Sequence, residues 1–114
     1  MALLDDGAWQ GKLWTGAWTD GSGGSYDVVE PATGDVVGAV GKATPEDVVA
    51  AADRAAEAQR AWAGLPFEDR ARVLRRAGEV LEANADEIRG RLARETGAIQ
   101  PFGDFQVHTT AAEC

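Results

Sequence analysis

The chain has 114 residues, 45% of them hydrophobic, with one cysteine and a formal net charge of −8, which allows one domain with a moderate core. The acidic charge argues against a nucleic-acid partner, because no basic excess neutralises phosphates; no apolar segment approaches the ~20 residues of a membrane span, no signal peptide is visible, and the lone Cys114 excludes an internal disulfide. These features predict a cytoplasmic protein with neither a nucleic-acid nor a membrane partner.

Residues 1–43 predict an arm and two β-hairpins. Residues 1–11 form a short, mixed segment that we expect to lie as an arm on the surface of something larger. Residues 12–19 hold strand-favouring side chains on both sides of Gly16, which predicts two short strands joined by a tight turn. Residues 20–25 contain no apolar side chain and predict a flexible, exposed loop.

A second hairpin follows this loop. Its strands are expected over residues 26–30 and 36–40. The turn between them contains Pro31, which pre-sets the backbone of the first corner, and Gly34, which accepts a positive φ. This segment gives the clearest hairpin signal in the chain.

A helix is predicted to begin at Thr44. The Thr44 hydroxyl is expected to cap the free N–H groups of the first turn, Pro45 fits that turn, and Asp47 completes a capping box. Apolar residues then recur at helical spacing as far as Trp62, and Gly64 breaks the run. The pattern predicts an amphipathic helix whose apolar side needs a packing partner.

A second helical arm begins at Phe67 and ends at Gly97, a natural C-cap. Asn84 interrupts its apolar pattern, so we expect the arm to split there. Together, residues 44–97 form the helical arms of the chain. Oppositely charged residues four positions apart predict exposed ion pairs and a solvated face on the second arm. These pairs are Glu68 with Arg72, Arg75 with Glu79, and Glu87 with Arg91.

Beyond Gly97 the helical pattern weakens. Residues 98–103 predict an irregular segment, and Asp104 is expected to cap a last helix that has only started when the sequence reaches Cys114. A terminus inside a helix, without glycine, asparagine or a basic last turn, is unusual. We therefore expect the chain to be truncated, with residues 98–114 forming the start of a further helix.

The residues with catalytic chemistry do not form a recognisable site. His108 and Cys114 are the only imidazole and thiol, and a separation of six positions on a helix gives poor geometry for a nucleophilic pair. One cysteine and one histidine are also too few to bind a metal ion. The sequence assigns no catalytic, cofactor-binding or metal-ligating residue within the chain.

Two other groups of residues are better explained by structure than by ligand binding. Gly34, Gly38 and Gly41 follow strand residues but fit neither the dinucleotide-binding fingerprint nor the Walker loop, and they predict turns. Four tryptophans offer stacking surfaces for sugars or bases, yet aromatics beside short strands are more often core or interface residues. We expect an interface that this chain does not complete. The tryptophans are Trp9, Trp14, Trp18 and Trp62.

Five motifs occur in the order and spacing of a known family. They are a strand pair around Gly16 and Trp18, the turn Pro31-Ala32-Thr33-Gly34, the helix end Ala61-Trp62, the helix start Pro66-Phe67-Glu68-Asp69-Arg70, and the helix end Glu95-Thr96-Gly97. With them the chain closely resembles the N-terminal region of the NAD(P)-dependent aldehyde dehydrogenase superfamily. The opening residues and residues 105–109 are most similar to its benzaldehyde, or aromatic aldehyde, dehydrogenase branch.

The resemblance implies an α/β fold in which short β-hairpins and three to four helices pack on a Rossmann-like sheet that is missing from this chain. It implies oxidation of an aldehyde to a carboxylic acid: a cysteine thiolate attacks the carbonyl, hydride passes to NAD or NADP, and water activated by a glutamate releases the acid. The family's catalytic and cofactor-binding residues lie beyond Cys114, so neither activity nor cofactor binding is expected of this chain alone. Full-length family members are homo-oligomers.

The leading hypothesis is that residues 1–114 are a truncated N-terminal part of the cofactor-binding domain of such an enzyme. Its partners are then the remainder of the enzyme and, once complete, an aldehyde substrate. Two alternatives are a free-standing acidic α+β interaction module without catalysis and a regulatory relic that docks on a full-length dehydrogenase. A structure in which all large aliphatic and indole groups close on one another would overturn the leading hypothesis.

Overall fold

The computed structural model describes residues 6–114, which form two compact units. The first, here called the hairpin unit, contains residues 6–29 and 36–64. The second, here called the helical unit, contains residues 30–35 and 65–114. Each unit has its own secondary structure and its own hydrogen bonds, and each is described by itself.

Two antiparallel hairpins form the strands of the hairpin unit. β1 (Lys12–Trp14) pairs with β2 (Trp18–Asp20), and β3 (Ser25–Val29) pairs with β4 (Val36–Gly41). Both predicted hairpins are confirmed, with strand ends that differ from the predicted ones by no more than a single residue. The pairing of the second hairpin contains one irregularity, near the end of β3.

A single helical turn, α1 (Asp6–Trp9), occupies the second half of the predicted arm, and residues 1–5 lie outside the described range. The next residue, Gln10, ties this segment to the second hairpin, because its Oε1 accepts from the N–H of Ala39 at 2.7 Å. Gly41 is buried nearby, and a Cβ on it would lie 2.9 Å from the carbonyl carbon of Lys12. This close approach of two backbones requires glycine.

Helix α2 (Pro45–Ala63) begins with the predicted capping box. The Thr44 hydroxyl accepts from the N–H of Asp47 at 3.3 Å, and the Asp47 carboxylate accepts from the N–H of Thr44 at 2.9 Å. The same carboxylate accepts from the N–H and the hydroxyl of Ser22 at 2.9 and 2.7 Å, so the exposed loop before β3 is anchored to the helix. These bonds, led by that of the Ser22 hydroxyl, lower the pKa of Asp47 from 3.8 to about 2.

The side chains along the rest of α2 are poorly buried. The helix contains 19 residues and none of them is buried. Val48 and Val49 are 59% and 60% exposed. Arg54 makes one further connection within the unit, since its Nε donates to the carbonyl of Thr15 at 3.3 Å. The predicted apolar side of α2 is therefore present, and the hairpin unit leaves it largely uncovered.

Three helices build the helical unit: α3 (Phe67–Ala83), α4 (Ala85–Thr96) and α5 (Gln100–Ala112). The predicted split at Asn84 is confirmed, and the Asn84 side-chain amide donates to a carbonyl of the preceding turn at 2.7 Å. The predicted C-cap at Gly97 is also confirmed, because this residue has a left-handed φ of 72°.

The core of the helical unit lies where α5 meets the two helices before it. Val107, with 3% of its surface exposed, is the one large apolar side chain that is buried among the described residues. Gly78 of α3 allows α5 to come close, because a Cβ at this position would lie 2.8 Å from the carbonyl oxygen of Ala111. Arg89 of α4 forms an ion pair with Asp104 of α5.

The last helix differs from the prediction. It begins at Gln100 rather than at Asp104 and continues for 13 residues. Pro101 lies in its first turn, where the missing N–H is not needed. Ile99 precedes it in an extended conformation, and Asp104, expected to be the cap, pairs with Arg89 instead. The segment predicted to be irregular is mostly helical.

Exposed ion pairs lie along α3, which confirms the predicted solvated face there. The predicted pair Glu87–Arg91 of α4 is present at 3.7 Å, but its side chains are only 28% and 30% exposed. The predicted pairs Glu68–Arg72 and Arg75–Glu79 are wrong, because two arginines of α3 pair instead with an acid three residues away. These two pairs are Asp69–Arg72 at 2.9 Å and Arg76–Glu79 at 2.8 Å. Each such exposed pair contributes at most about 0.5 kcal/mol, so the pairs do not determine the fold.

We predict that Gly78→Ala destabilises the helical unit by about 1–3 kcal/mol, because the new methyl group pushes α5 away from α3. Gly90 of α4 provides the matched control, since a Cβ there would meet no atom within 4 Å. Gly90→Ala should stabilise its helix by about 0.5–1 kcal/mol through helix propensity. Urea unfolding followed by far-UV circular dichroism compares the two variants, and stabilisation by both would show that α3 and α5 do not touch at Gly78.

We predict that the Asp47 carboxyl titrates near pH 2 when followed by carbon NMR. Because the folded pKa lies below the unfolded value, its stabilising effect is complete above pH 3.8 and is lost as the pH falls through about 2. Asp47→Asn should speed hydrogen exchange at the Ser22 amide, while Glu46→Gln, in the same helical turn, should not. A midpoint near 3.8, or equal exchange in the two variants, would contradict this anchor.

Candidate functional site

The imidazole and the thiol of this chain have separate local partners. His108 Nδ1 lies 2.8 Å from Glu82 Oε1, a contact that joins α5 to α3. Cys114 Sγ donates to the carbonyl of Thr110 at 3.3 Å, one turn earlier in the chain. The His108 contact thus joins two helices of the helical unit, and the Cys114 contact lies within the last turn of the chain. These contacts do not pair the thiol with the imidazole as a nucleophile and its base.

The glycines that follow strands act in turns and close contacts. Gly34 has a φ of 81° in the turn after β3. Gly38 faces the start of the hairpin unit, where a Cβ would lie 3.3 Å from Trp9 and from Gln10. The predicted turn is confirmed at Gly34, but it is wrong for Gly38 and Gly41, which lie within β4 and allow close contacts with neighbouring residues.

Residues 6–114 contain neither a cluster of metal-binding side chains nor a membrane-spanning helix. In that range no three histidine, cysteine, aspartate or glutamate side chains are grouped to hold a metal ion. No helix of the described chain has the length and hydropathy needed to cross a bilayer. The lowered pKa of Asp47 also has a structural cause, since its hydrogen-bond partners form a helix cap and a loop anchor.

Exposed apolar side chains are the prominent feature of both units. Ile99 is 71% exposed and Phe67 is 68% exposed. Single exposed apolar residues are ordinary, whereas contiguous patches of them indicate an interaction surface. In the hairpin unit the exposed large apolar residues are Trp14, Trp18, Tyr26, Val29, Val36, Val48, Val49 and Trp62. In the helical unit they are Leu65, Phe67, Val73, Leu74, Ile99, Phe102 and Phe105.

Helix α5 has apolar residues on two sides. Val107 on one side is buried in the helical unit, whereas Phe102 and Phe105, three residues apart and hence neighbours on the helix surface, are exposed. Ile99 continues this row at the start of the helix. A helix that is apolar on opposite sides lies between two layers in a folded domain. The second layer over this row is not present among the described residues.

The hairpin unit contains an open groove of about 870 Å³ between its first hairpin and α2, here called the hairpin groove. Trp14 forms one wall and meets Trp18 edge to face, with ring centroids 5.1 Å apart. Arg54 lies in the groove beside Thr15, to whose carbonyl it donates. The remaining lining residues are small: Gly16, Ala17, Thr19, Ala51, Ala55 and Ala58.

Sequence reasoning missed two residues that organise the hairpin unit. Arg54 is surrounded by alanines, and its acceptor is a backbone carbonyl 39 residues earlier, which no local pattern reveals. Ser22 lies in a loop of small and polar residues, and its partner Asp47 is 25 residues away. One sequence signal could have indicated this contact: the Asp47 carboxylate has lone pairs left after it accepts from Thr44, so it can accept from a further donor.

Comparison with known proteins gives a consistent result. Residues 18–114 match the model of the aldehyde dehydrogenase family. A vanillin dehydrogenase from Amycolatopsis sp. is 50% identical over 114 residues, which is all of this chain and 24% of that protein. A benzaldehyde dehydrogenase (NAD⁺) from Pseudomonas putida is 42% identical over 95 residues, 83% of this chain and 20% of that protein.

A solved structure agrees with these relatives. The crystal structure of a NAD-dependent benzaldehyde dehydrogenase from Corynebacterium glutamicum superposes with a TM-score of 0.84 at 26% identity, over 98% of this chain and 24% of that one. The chain therefore spans about a quarter of the length of the relatives it matches, and that quarter is N-terminal. The predicted α/β class, with short hairpins followed by helices, is confirmed.

We predict that the double variant Phe102→Ser, Phe105→Ser binds less of the apolar dye ANS than the unaltered chain. Since both side chains are exposed, the free energy of unfolding should change by no more than about 0.5 kcal/mol per site. Val107→Ala is the control for a buried position and should cost about 2 kcal/mol. Unchanged dye binding, or a large loss of stability in the double variant, would show that these phenylalanines are already packed.

Proposed function

This chain belongs to the aldehyde dehydrogenase family, and we propose that it forms the N-terminal scaffold of the cofactor-binding domain of an NAD(P)-dependent enzyme that oxidises aromatic aldehydes. In this proposal residues 1–43 supply the arm and hairpins, residues 44–97 the helical arms, and residues 98–114 a further helix. They surround a Rossmann-like sheet that the rest of the polypeptide supplies. The complete enzyme is a cytoplasmic homo-oligomer.

The uncovered apolar sides of the helices carry this proposal. α2 has no buried residue, and the outward row of α5 is exposed, although both helices have the apolar spacing of packed elements. A parallel sheet covered by helices on its two faces needs such elements. The free-standing module would instead close its large apolar groups on one another, and the exposed tryptophans and phenylalanines argue against it.

The names of the relatives support the substrate class and the cofactor. Two curated relatives are named for vanillin and benzaldehyde, both aromatic aldehydes, and the benzaldehyde enzymes are named for NAD. A nicotinamide cofactor, when bound to the complete enzyme, accepts hydride from the aldehyde carbon. The residues of this chain support the sheet beneath that cofactor and provide no group that touches the reacting atoms. Neither cofactor binding nor catalysis is therefore expected of the 114 residues alone.

A chimera tests the scaffold function directly. The matching N-terminal quarter of the Amycolatopsis vanillin dehydrogenase is replaced by this 114-residue chain, and reduction of NAD is followed with vanillin and with benzaldehyde. Because the two segments are 50% identical over their whole length, we expect the chimera to fold and to oxidise both aldehydes. The unaltered relative provides the reference rate.

The isolated 114-residue chain provides the second arm of the experiment. It should show no aldehyde-dependent NAD reduction and no protection by NAD against thermal unfolding. Turnover by the isolated chain would refute the proposal, since the chain would then hold a catalytic site of its own. A chimera that is folded and assembled but inactive would show that this segment does not serve as a dehydrogenase scaffold.

A further inference from the structure

We propose that the hairpin groove is the docking site for an extended segment of the remaining dehydrogenase polypeptide, which places a carboxylate on Arg54 and an apolar side chain on Trp14. This inference rests on the proposed function, because it takes the remainder of the enzyme as the partner. It adds the location of one contact, the conformation of the docked segment and the chemistry that recognises it.

The floor of the groove determines the size of its occupant. Ala51, Ala55 and Ala58 are spaced by four and three residues, so their methyl groups line one side of α2. At about 1.5 Å per residue, this floor is about 10 Å long. An extended chain advances about 3.3 Å per residue, so about three residues fit along it. Methyl groups also allow a neighbouring backbone to come close.

Trp14 gives the groove a fixed apolar wall. Its ring is held by the edge-to-face contact with Trp18, yet 63% of the residue remains exposed. A large, rigid and exposed indole is typical of the anchor residues that dominate interfaces. A small anion bound to the groove would leave this ring uncovered, whereas an apolar side chain of a polypeptide segment would cover it.

Arg54 supplies the charge that selects the segment. It is the one charged residue among those that line the groove. The bond from its Nε to the Thr15 carbonyl, at 3.3 Å, holds the guanidinium at the groove and leaves its four terminal N–H donors for another acceptor. A carboxylate fits these donors in a bidentate arrangement, which is the geometry that arginine favours.

Under the proposed function, the rest of the enzyme is the source of the segment. The 114 residues correspond to about a quarter of each relative, so about three quarters of a complete enzyme remains to cover the exposed apolar groups. Residues of α2 form the floor of the hairpin groove, and no residue of this helix is buried. A second copy of this chain and a free small carboxylate are the rival occupants.

The first test compares Arg54→Gln in two contexts. In the chimera with the vanillin dehydrogenase, where the groove is covered, we expect the substitution to lower the equilibrium constant for folding by about tenfold, as loss of a charged hydrogen bond does. In the isolated chain, where Arg54 is exposed, the change should be less than about threefold. Arg60→Gln removes a charge from the same helix outside the groove and should act alike in both contexts. Equal effects of Arg54→Gln in the two contexts would overturn the proposal.

The second test uses the isolated chain and a defined probe, the capped tripeptide acetyl-Leu-Glu-Leu-amide. We expect it to shift the Trp14 indole N–H resonance more than acetyl-Leu-Gln-Leu-amide does, and Arg54→Gln should abolish the difference. An equal shift from sodium acetate would mean that only a small carboxylate binds. A dimer in sedimentation that Arg54→Gln dissociates would mean that a second copy occupies the groove. Either of these two results would overturn the proposal.

Failure of the docking site and failure of the proposed function give different results in these tests. Enzyme activity of the chimera reports on scaffolding, whereas the unfolding comparison and the peptide shift report on the groove. An active chimera that is insensitive to Arg54→Gln would leave the scaffold function in place and refute the docking site. A folded but inactive chimera with a glutamate-specific shift at Trp14 would refute the scaffold function, and with it the dehydrogenase as the source of the segment, while showing that the groove binds an acidic peptide.

Discussion

The apolar side of α2 is the constraint on which the rest of this structure depends. Most of the stability of a helix in a protein comes from packing of its apolar side, and none of the 19 residues of α2 is buried in this chain. Polar contacts fix the first turn of this helix. They are the capping box at Thr44 and the hydrogen bonds from the loop before β3 to Asp47. The helix is therefore positioned by polar contacts at one end, while its apolar side makes little hydrophobic contribution to stability in this chain.

The two units differ in how much of their packing they complete. The helical unit has a small core of its own, in which Val107 is buried, Gly78 allows close approach and Arg89 joins two helices. Its α5 nevertheless presents a second apolar row outward. The hairpin unit has hydrogen bonds between its segments and a close backbone contact at Gly41, and none of its large apolar side chains is fully buried. Both patterns agree with a segment that forms its secondary structure locally and completes its core against a larger body.

Local signals in the sequence predicted most of the fold, because each has a short-range physical cause. Thr44, Asp47 and Gly97 act through caps within one helical turn, and Gly34 acts through its positive φ. The predicted start of α5 was wrong because proline inside an apparent loop resembles a helix breaker, although in a first turn it is compatible with the helix. The register of surface ion pairs was also missed, since exposed partners three and four residues apart differ little in energy.

Long-range contacts of the candidate site were not predictable from one sequence. Ser22 meets Asp47 and Arg54 meets Thr15 only after the hairpins and α2 have come together. The presence of an uncovered apolar surface, in contrast, was predictable, because helical spacing showed apolar sides with no strands left in the chain to cover them. Family motifs then identified the kind of protein that such surfaces belong to.

Hydrogen exchange along α2 tests most directly whether the remaining polypeptide covers the apolar side of this helix. The amides of residues 48–60 are compared in the isolated 114-residue chain and in the chimera that supplies the rest of a dehydrogenase. If the apolar side of α2 is covered by the remaining polypeptide, these amides exchange rapidly in the isolated chain and far more slowly in the chimera. Equal and strong protection in both proteins would show that α2 is already packed within this chain, which would contradict its dependence on the rest of the enzyme.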